Sequence, residues 1–471
     1  MVLVVAANCS GGKDEPAPAP VAEPTPKAEP TPAPAPDFPD GTRSLELRRT
    51  VGVRREPADD AKRIGTVAID TRVAWTRTAR GKGCERPWIE ILPHGWVCGD
   101  YVEASKKPPY GQEVPHLDRG ETVPGVYGKV TGQGAVSYQL EKHDKKKVKK
   151  RPVTSTRELD DPKAPHMIED KPLVGSVNVR EYDEVTVDGK TYWKIDKKDN
   201  EYVLRSAITR HVPSMYGGAR LGDDTGWAVP IAFVWPRYGG STAYTLSKPT
   251  GGVARELAAR TPVPVLEVVA GKDGKPTAYR IGDAEWMSPA DVRVFQPLPP
   301  PALLQPGERW IDVDLDAQIL VAFEGDVAVY ATMVSSGGKE TPTETGIYRM
   351  WMKESEADMK GLNGEDPYSV ATVPWTQFFS PEKGLVLHTA YWHDQFGHQR
   401  SHGCVNLAPR DARWLYFWSD PQVPPGWTMA AGVVEAPGSI VRIRSAADPS
   451  PEPRGYAKKV LEARQQNAPA H

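Results

Sequence analysis

The run Ser401-His402-Gly403-Cys404-Val405-Asn406 sets a thiol beside a glycine and an imidazole, and a second histidine, His388, stands sixteen residues before Cys404 at the end of Gly384-Leu385-Val386-Leu387. A thiol is a weak nucleophile at neutral pH unless a base or a positive potential drives it toward thiolate. A cysteine with an imidazole on a neighbouring strand is therefore equipped for acyl transfer. Gly403 has no Cβ, so the backbone beside Cys404 can turn its N–H groups toward a reacting carbonyl, as an oxyanion hole requires. On residue types and spacing alone a second reading stays open, a buried structural cysteine flanked by ordinary loop histidines.

Outward from this run the sequence reads as strands. Trp310-Ile311-Asp312-Val313-Asp314, Ile319-Leu320-Val321-Ala322-Phe323 and Val327-Ala328-Val329-Tyr330 alternate or are continuously apolar, and Thr341-Pro342-Thr343-Glu344-Thr345-Gly346-Ile347-Tyr348 follows them. The hexapeptide, the histidine ending an apolar strand and these segments in this order resemble the L,D-transpeptidase catalytic (YkuD-type) family over about residues 308 to 443. The resemblance implies a β-rich catalytic domain that remodels bacterial peptidoglycan through a cysteine acyl-enzyme, with Cys404 as nucleophile and His388 as base. Gly403 with Cys404 would supply oxyanion N–H groups, Ser401 and Asn406 would shape the loop by side-chain hydrogen bonds, and His402 would orient it. His393 and His398, in the connecting segment with Asp394, are candidate substrate contacts. This chain departs from the family in having His388-Thr389-Ala390, where a glycine often follows the histidine, and in placing only twelve residues between His388 and Ser401. These departures bear on the substrate cap rather than on the catalytic pair. The same histidines and Cys404 are also zinc-ligand types, but their spacings match no compact ligand motif, so neither a metal nor a cofactor is expected.

Composition frames the remainder. A length of 471 residues suggests about three ordinary domains or more small ones. The formal charge of -2 and a pI near 6.6 give no reason to expect nucleic-acid binding. With 47 prolines and 42 glycines the chain should be rich in turns, linkers and short strands. No apolar run is long enough to span a bilayer, so contact with a membrane would come through a lipid. Cys9, after Val4-Val5-Ala6-Ala7-Asn8 and before Ser10-Gly11-Gly12, resembles the lipidated end of a bacterial lipoprotein signal. A basic segment and a full-length apolar run do not precede it, which leaves an incidental cysteine as the other reading. From Glu15 to Pro39, Pro alternates with Ala, Glu and Thr; such a stretch favours extended polyproline II and would space the following domains tens of ångströms from an anchor. The four cysteines are completed by Cys84 and Cys98, near the ends of two strand-like segments in one small module. They are read as a disulfide if the protein is exported, and as free core thiols if it is not.

Three degenerate copies of one pattern fill the middle of the chain. Val73-Ala74-Trp75 leads to Trp88-Ile89-Glu90-Ile91 and Gly95-Trp96, with Asp100 and Val102 four and six residues after Trp96. Val185-Thr186-Val187, Asp188-Gly189 and Tyr192-Trp193-Lys194-Ile195 precede Tyr202, with Ser206 and Ile208 at the same offsets; Leu266-Glu267-Val268-Val269, Asp273-Gly274 and Tyr279-Arg280-Ile281 precede Trp286, with Ala290 and Val292. Alternation with Asp-Gly turns and a closing aromatic argues for small antiparallel barrels, and the recurrence at one spacing supports a repeat. These resemble bacterial SH3-like domains.

The fold class expected is thus mainly β: several small SH3-like barrels followed by a β-rich L,D-transpeptidase catalytic domain with short helices. The divisions read from sequence are a truncated signal or anchor at 1–14, a Pro/Ala linker at 15–40, SH3-like domains at 41–105, 106–215 and 216–300, the catalytic domain at 301–445 and a polar tail at 446–471, with a short helix near Ala457 to Arg464. Trp75, Trp88, Trp96, Trp193, Trp227, Trp235 and Trp286 either fill barrel cores, the commoner role, or line grooves for wall glycan. The basic run Lys142 to Arg151 reads as a solvated loop, with contact to acidic wall polymers as the alternative. The implied partners are peptidoglycan stem peptides, with glycan through the barrels, and the implied place is the periplasm or cell envelope. Besides cross-linking, two classes stay open: a carboxypeptidase or other thiol or metal peptidase, and a catalytically silent wall-binding protein.

Overall fold

The computed structural model describes residues 38–132, 134–141, 166–235, 240–361 and 367–466. Cys9, most of the Pro-rich linker and the basic run from Lys142 lie outside the described residues. The fold is mainly β, with many short strands distributed over several sheets. In each of the three repeats the aromatic-bearing segments form consecutive antiparallel strands. The Trp88–Ile91 and Trp96–Cys98 strands pair, as do Lys190–Lys194 with Glu201–Leu204 and Pro276–Gly282 with Glu285–Met287. The Asp188-Gly189 turn has positive φ at both residues (51° and 72°), the geometry that lets Val187 pair with Lys190 across a two-residue hairpin. Trp88, Trp96 and Trp193 are buried, whereas Trp75, Trp227, Trp235 and Trp286 are partly exposed.

The upstream strands that enter the sheet next to the active site include β1 (Arg63–Val67), β2 (Tyr127–Val130), β3 (Ser176–Arg180) and β4 (Ile208–Arg210). The C-terminal third contributes β5 (Arg309–Asp314), β6 (Ile319–Glu324), β7 (Val327–Met333), β8 (Gly346–Arg349), β9 (Met352–Gly361), β10 (Tyr368–Ser380), β11 (Leu385–Thr389) and β12 (Val405–Leu407). After these come α1 (Pro409–Trp418), β13 (Trp427–Ala431), β14 (Ile440–Arg444) and α2 (Gly455–Gln466).

One sheet runs β7-β6-β5-β14-β8, with the upstream strand Ala219–Arg220 paired to the outer edge of β7. A second has β10, β9 and β13 at its centre, with β11 beside β10 and β12 beside β11. Val313, Leu320 and Tyr348 of the first meet Leu387, Val405 and Leu407 of the second in a single core, which α1 closes with Leu415 and Tyr416. Burying each such side chain contributes about 1.5–3 kcal/mol. Upstream strands extend the second sheet at both ends: β3 pairs in parallel with β10, β2 with β3 and β4 with β2, while β1 pairs with β13.

Polar pins fix these layers. Asp312 is fully buried between Arg442 at 2.7 Å and Arg444 at 3.0 Å, so its charge is compensated where water cannot reach it. The same arginines donate to the carbonyls of Pro299 and Gln296, tying the preceding segment to the sheet. Helix α1 starts with Pro409, whose missing N–H costs nothing in the first turn. Its C-terminal carbonyls, Tyr416 O and Ser419 O, accept from the buried Lys353 Nζ. In the segment read as a polar tail, α2 docks through Ala457 and Val460, and Arg464 and Arg349 share Glu308 at 2.8 Å each.

Candidate active site

β11 is Leu385-Val386-Leu387-His388-Thr389 and is buried along its whole length. The parallel register of β11 and β12 sets Leu387 beside Val405 and His388 beside Asn406. Side chains alternate along a strand, so Cys404, two residues before Asn406, shares with it the face that carries His388. All three line one cavity of about 220 Å³.

His388 is held as a neutral base. Its Nδ1 lies 2.8 Å from Thr389 O, and a carbonyl can only accept, so the ring proton is on Nδ1 and the lone pair on Nε2. Burial pushes its pKa down to about 4. Trp392 stacks against the ring at 5.7 Å. The Cys404 thiol is pushed up by burial, with the Val386 N–H acting in the opposite sense. Its Sγ faces Gly384 O at 3.9 Å.

The loop before Cys404 is shaped by side-chain hydrogen bonds. Ser401 Oγ accepts from Gly403 N–H at 3.1 Å and donates to Cys404 O. Gly403 adopts φ +114°, a region that favours glycine, and that conformation rather than lack of space demands the residue: an added Cβ would meet Leu385 only at 3.4 Å. Thr343 Oγ1 donates to Gly403 O and accepts from Gly337 N–H, both at 2.8 Å. Ser335 and Asn406 exchange backbone hydrogen bonds at 3.0 and 2.8 Å. The segment from Ser335 to Thr343 therefore braces the nucleophile loop from one side.

The other histidines take separate places. His402 lines the cavity and stacks on Tyr368 at 4.8 Å. His393 lies behind it, 3.0 Å from the Asn406 side chain, with its pKa pushed to about 4 by burial and then by His388. His398 packs edge-on against Trp235 at 4.8 Å, away from the cavity lining. Among the described residues the one group of three or more His, Cys, Asp or Glu with ligand atoms in mutual reach is Cys84, Cys98 and Asp100, and the two cysteines are joined in a disulfide. The histidines near Cys404 form no such group.

Sequence reading missed part of the lining. Tyr368, Val370, Trp392 and Arg400 belong to the C-terminal third, while Lys129, Ser176, Asn178 and His211 come from upstream strands or their ends. Trp392 had a usable signal, an aromatic four residues beyond a strand-end histidine. The upstream residues had none.

Residues 308–443 match the family model of the L,D-transpeptidase catalytic domain, YkuD. No curated protein sequence matches the chain. Similar solved structures are L,D-transpeptidases. One from Enterococcus faecium is 25% identical over 29% of this chain and 50% of its own, with a TM-score of 0.24. L,D-transpeptidase 3 from Mycobacterium tuberculosis is 20% identical over 29% and 60%, with a TM-score of 0.24. One from Mycobacterium smegmatis is 17% identical over 50% and 90%, also with a TM-score of 0.24. The chain thus spans about half the length of the first of these.

Proposed function

We propose that the L,D-transpeptidase domain at 308–443 is a cysteine acyltransferase of peptidoglycan stem peptides. The observation that carries this reading is Cys404 and His388 on adjacent parallel strands, lining one cavity, with the His388 lone pair on Nε2. Cys404 Sγ attacks the carbonyl of the third residue of a tetrapeptide stem as its proton passes to His388 Nε2. The C–N bond to the terminal D-alanine breaks, and that amine leaves with the proton from His388. An acceptor amine from another stem then displaces the thiolate, and the new amide is the crosslink. If water takes that place the product is a shortened stem, and the site is a carboxypeptidase.

Two details refine the roles. The thiol faces Gly384 O at 3.9 Å, a contact that gives way as the thiol passes its proton to the imidazole. The Gly403 N–H is engaged by Ser401, which shifts the candidate oxyanion donor to the N–H of Cys404; one good donor of this kind is worth about 2.7–4 kcal/mol. A disulfide between Cys84 and Cys98 supports an exported protein. On the same reading the upstream modules are SH3-like, bind the wall, and are held at the envelope, with Cys9 as the lipid attachment point.

The test incubates the protein with a tetrapeptide muropeptide and a labelled D-amino acid, and reads intact-protein and product masses. Cys404 should gain the acyl mass and the label should enter the product. A Cys404→Ala variant that kept full activity would refute the reading. Release of D-alanine without exchange would make the protein a hydrolase, and loss of activity with chelator would point to a metal peptidase. Resemblance to the family further implies that carbapenem-class β-lactams add their mass at Cys404.

A further inference from the structure

Part of the cavity lining comes from outside the matched domain. β2, β3 and β10 lie side by side, and their registers put Lys129 opposite Asn178 and Asn178 beside Val370. These three side chains form one row across three strands spaced about 4.8 Å apart, and all three line the cavity. Asn178 is buried and its Oδ1 accepts from His211 Nε2–H at 2.8 Å, a second fixed polar pair of the same wall. The upstream strands are locked where they stand. Arg180 pairs with Glu356 of β9, Tyr182 hydroxyl meets Thr372 Oγ1 at 2.8 Å, and Tyr127 stacks on Tyr391 at 4.0 Å. Charge on the lining is one-sided. Lys129 and Arg400 are cations, and among the described residues no carboxylate lines the cavity.

We propose that Lys129 is a substrate-binding residue of this site, its ammonium taking a free carboxylate of the peptide whose carbonyl Cys404 attacks. The proposal rests on the acyltransferase reading above and adds that the upstream module, rather than the matched domain, selects the anionic peptide. A tetrapeptide stem offers such a carboxylate at its terminal D-alanine, and a second if the side chain of its third residue is itself acidic. A neutral cavity wall would favour neither. A cation in a lining that holds no carboxylate among the described residues gives one of them a counter-ion and disfavours peptides in which that group is amidated.

The test measures binding by calorimetry in full-length Cys404→Ala, where no turnover intervenes. Three peptides are compared: one with both carboxylates free, one amidated at the terminal D-alanine, and one amidated on the third side chain. Amidation of one of the two should weaken binding roughly fivefold, the worth of a solvent-accessible ion pair. Adding Lys129→Gln should abolish that preference, Lys129→Arg should keep it, and raising the ionic strength should erode it. Which amide loses affinity names the carboxylate. Equal binding of all three peptides, no binding to Cys404→Ala, or a preference untouched by Lys129→Gln would each overturn the proposal. A chain that binds with the Lys129-dependent preference but never acylates Cys404 would fail the acyltransferase reading alone.

Discussion

His388 can serve as a base only while its imidazole is neutral, and burial makes it neutral at every pH above about 4. The thiol beside it moves the opposite way, since burial holds Cys404 protonated into more alkaline solution than usual. A resting thiolate–imidazolium pair is therefore disfavoured, and the proton must move during attack. The sign of each shift sets an expectation. Because the His388 pKa is lowered, the acid limb of kcat/KM should fall near pH 4, with circular dichroism at the same pH as the check that the loss is not unfolding. Because the Cys404 pKa is raised, alkylation by iodoacetamide without substrate should climb with pH to an inflection above about 8.5, the ordinary range for a cysteine. An acid limb between pH 6 and 7, or an alkylation rate already flat at neutrality, would contradict this arrangement. The pair itself was legible in the sequence, because a strand-end histidine and a Gly-Cys turn are local patterns. The division between His388 and His402 came from the family resemblance; their surroundings were not legible, since the stacking of His402 on Tyr368 joins residues more than thirty apart.

At the scale of the elements, the nucleophile loop depends on a neighbour that carries no chemistry. Thr343 is buried, and its single hydroxyl bridges Gly403 O and Gly337 N–H. Thr343→Val keeps the shape but leaves both backbone groups without that partner, at about 1–3 kcal/mol for each buried group. The variant should unfold at lower urea with an unchanged m-value, and its kcat should fall as the Gly403–Cys404 turn loosens. Wild-type midpoint and kcat together would show that the bridge is dispensable. Strands such as β5 and β6 and the hairpin at Asp188-Gly189 could be read from alternation and turn chemistry. The thirteen-residue β10 and the cavity wall could not. Lys129, Asn178 and Val370 come together only through pairings between segments far apart in the chain, and no local period encodes such a match.

For the whole molecule, the upstream part acts as structure for the catalytic part. The Cys84–Cys98 bond closes a loop across a sequence separation of 14 in the module whose strand β1 pairs with β13. Closing a loop of about 15 residues is worth roughly 3 kcal/mol in the chain-entropy account. A Cys84→Ser/Cys98→Ser double variant should show a lowered calorimetric Tm, and an unchanged thermogram would mean that the module is held by its core alone.

The pairing of β3 with β10 and of β1 with β13 carries one more consequence. A β-strand at the border of a sheet offers a row of open donors and acceptors to any other chain, and proteins commonly cover such borders to prevent self-association. Here both borders of the sheet next to the active site are sealed by strands from outside the matched domain. A fragment trimmed to 308–443 would bare both at once, so its natural failure would be sticking to copies of itself rather than loss of chemistry.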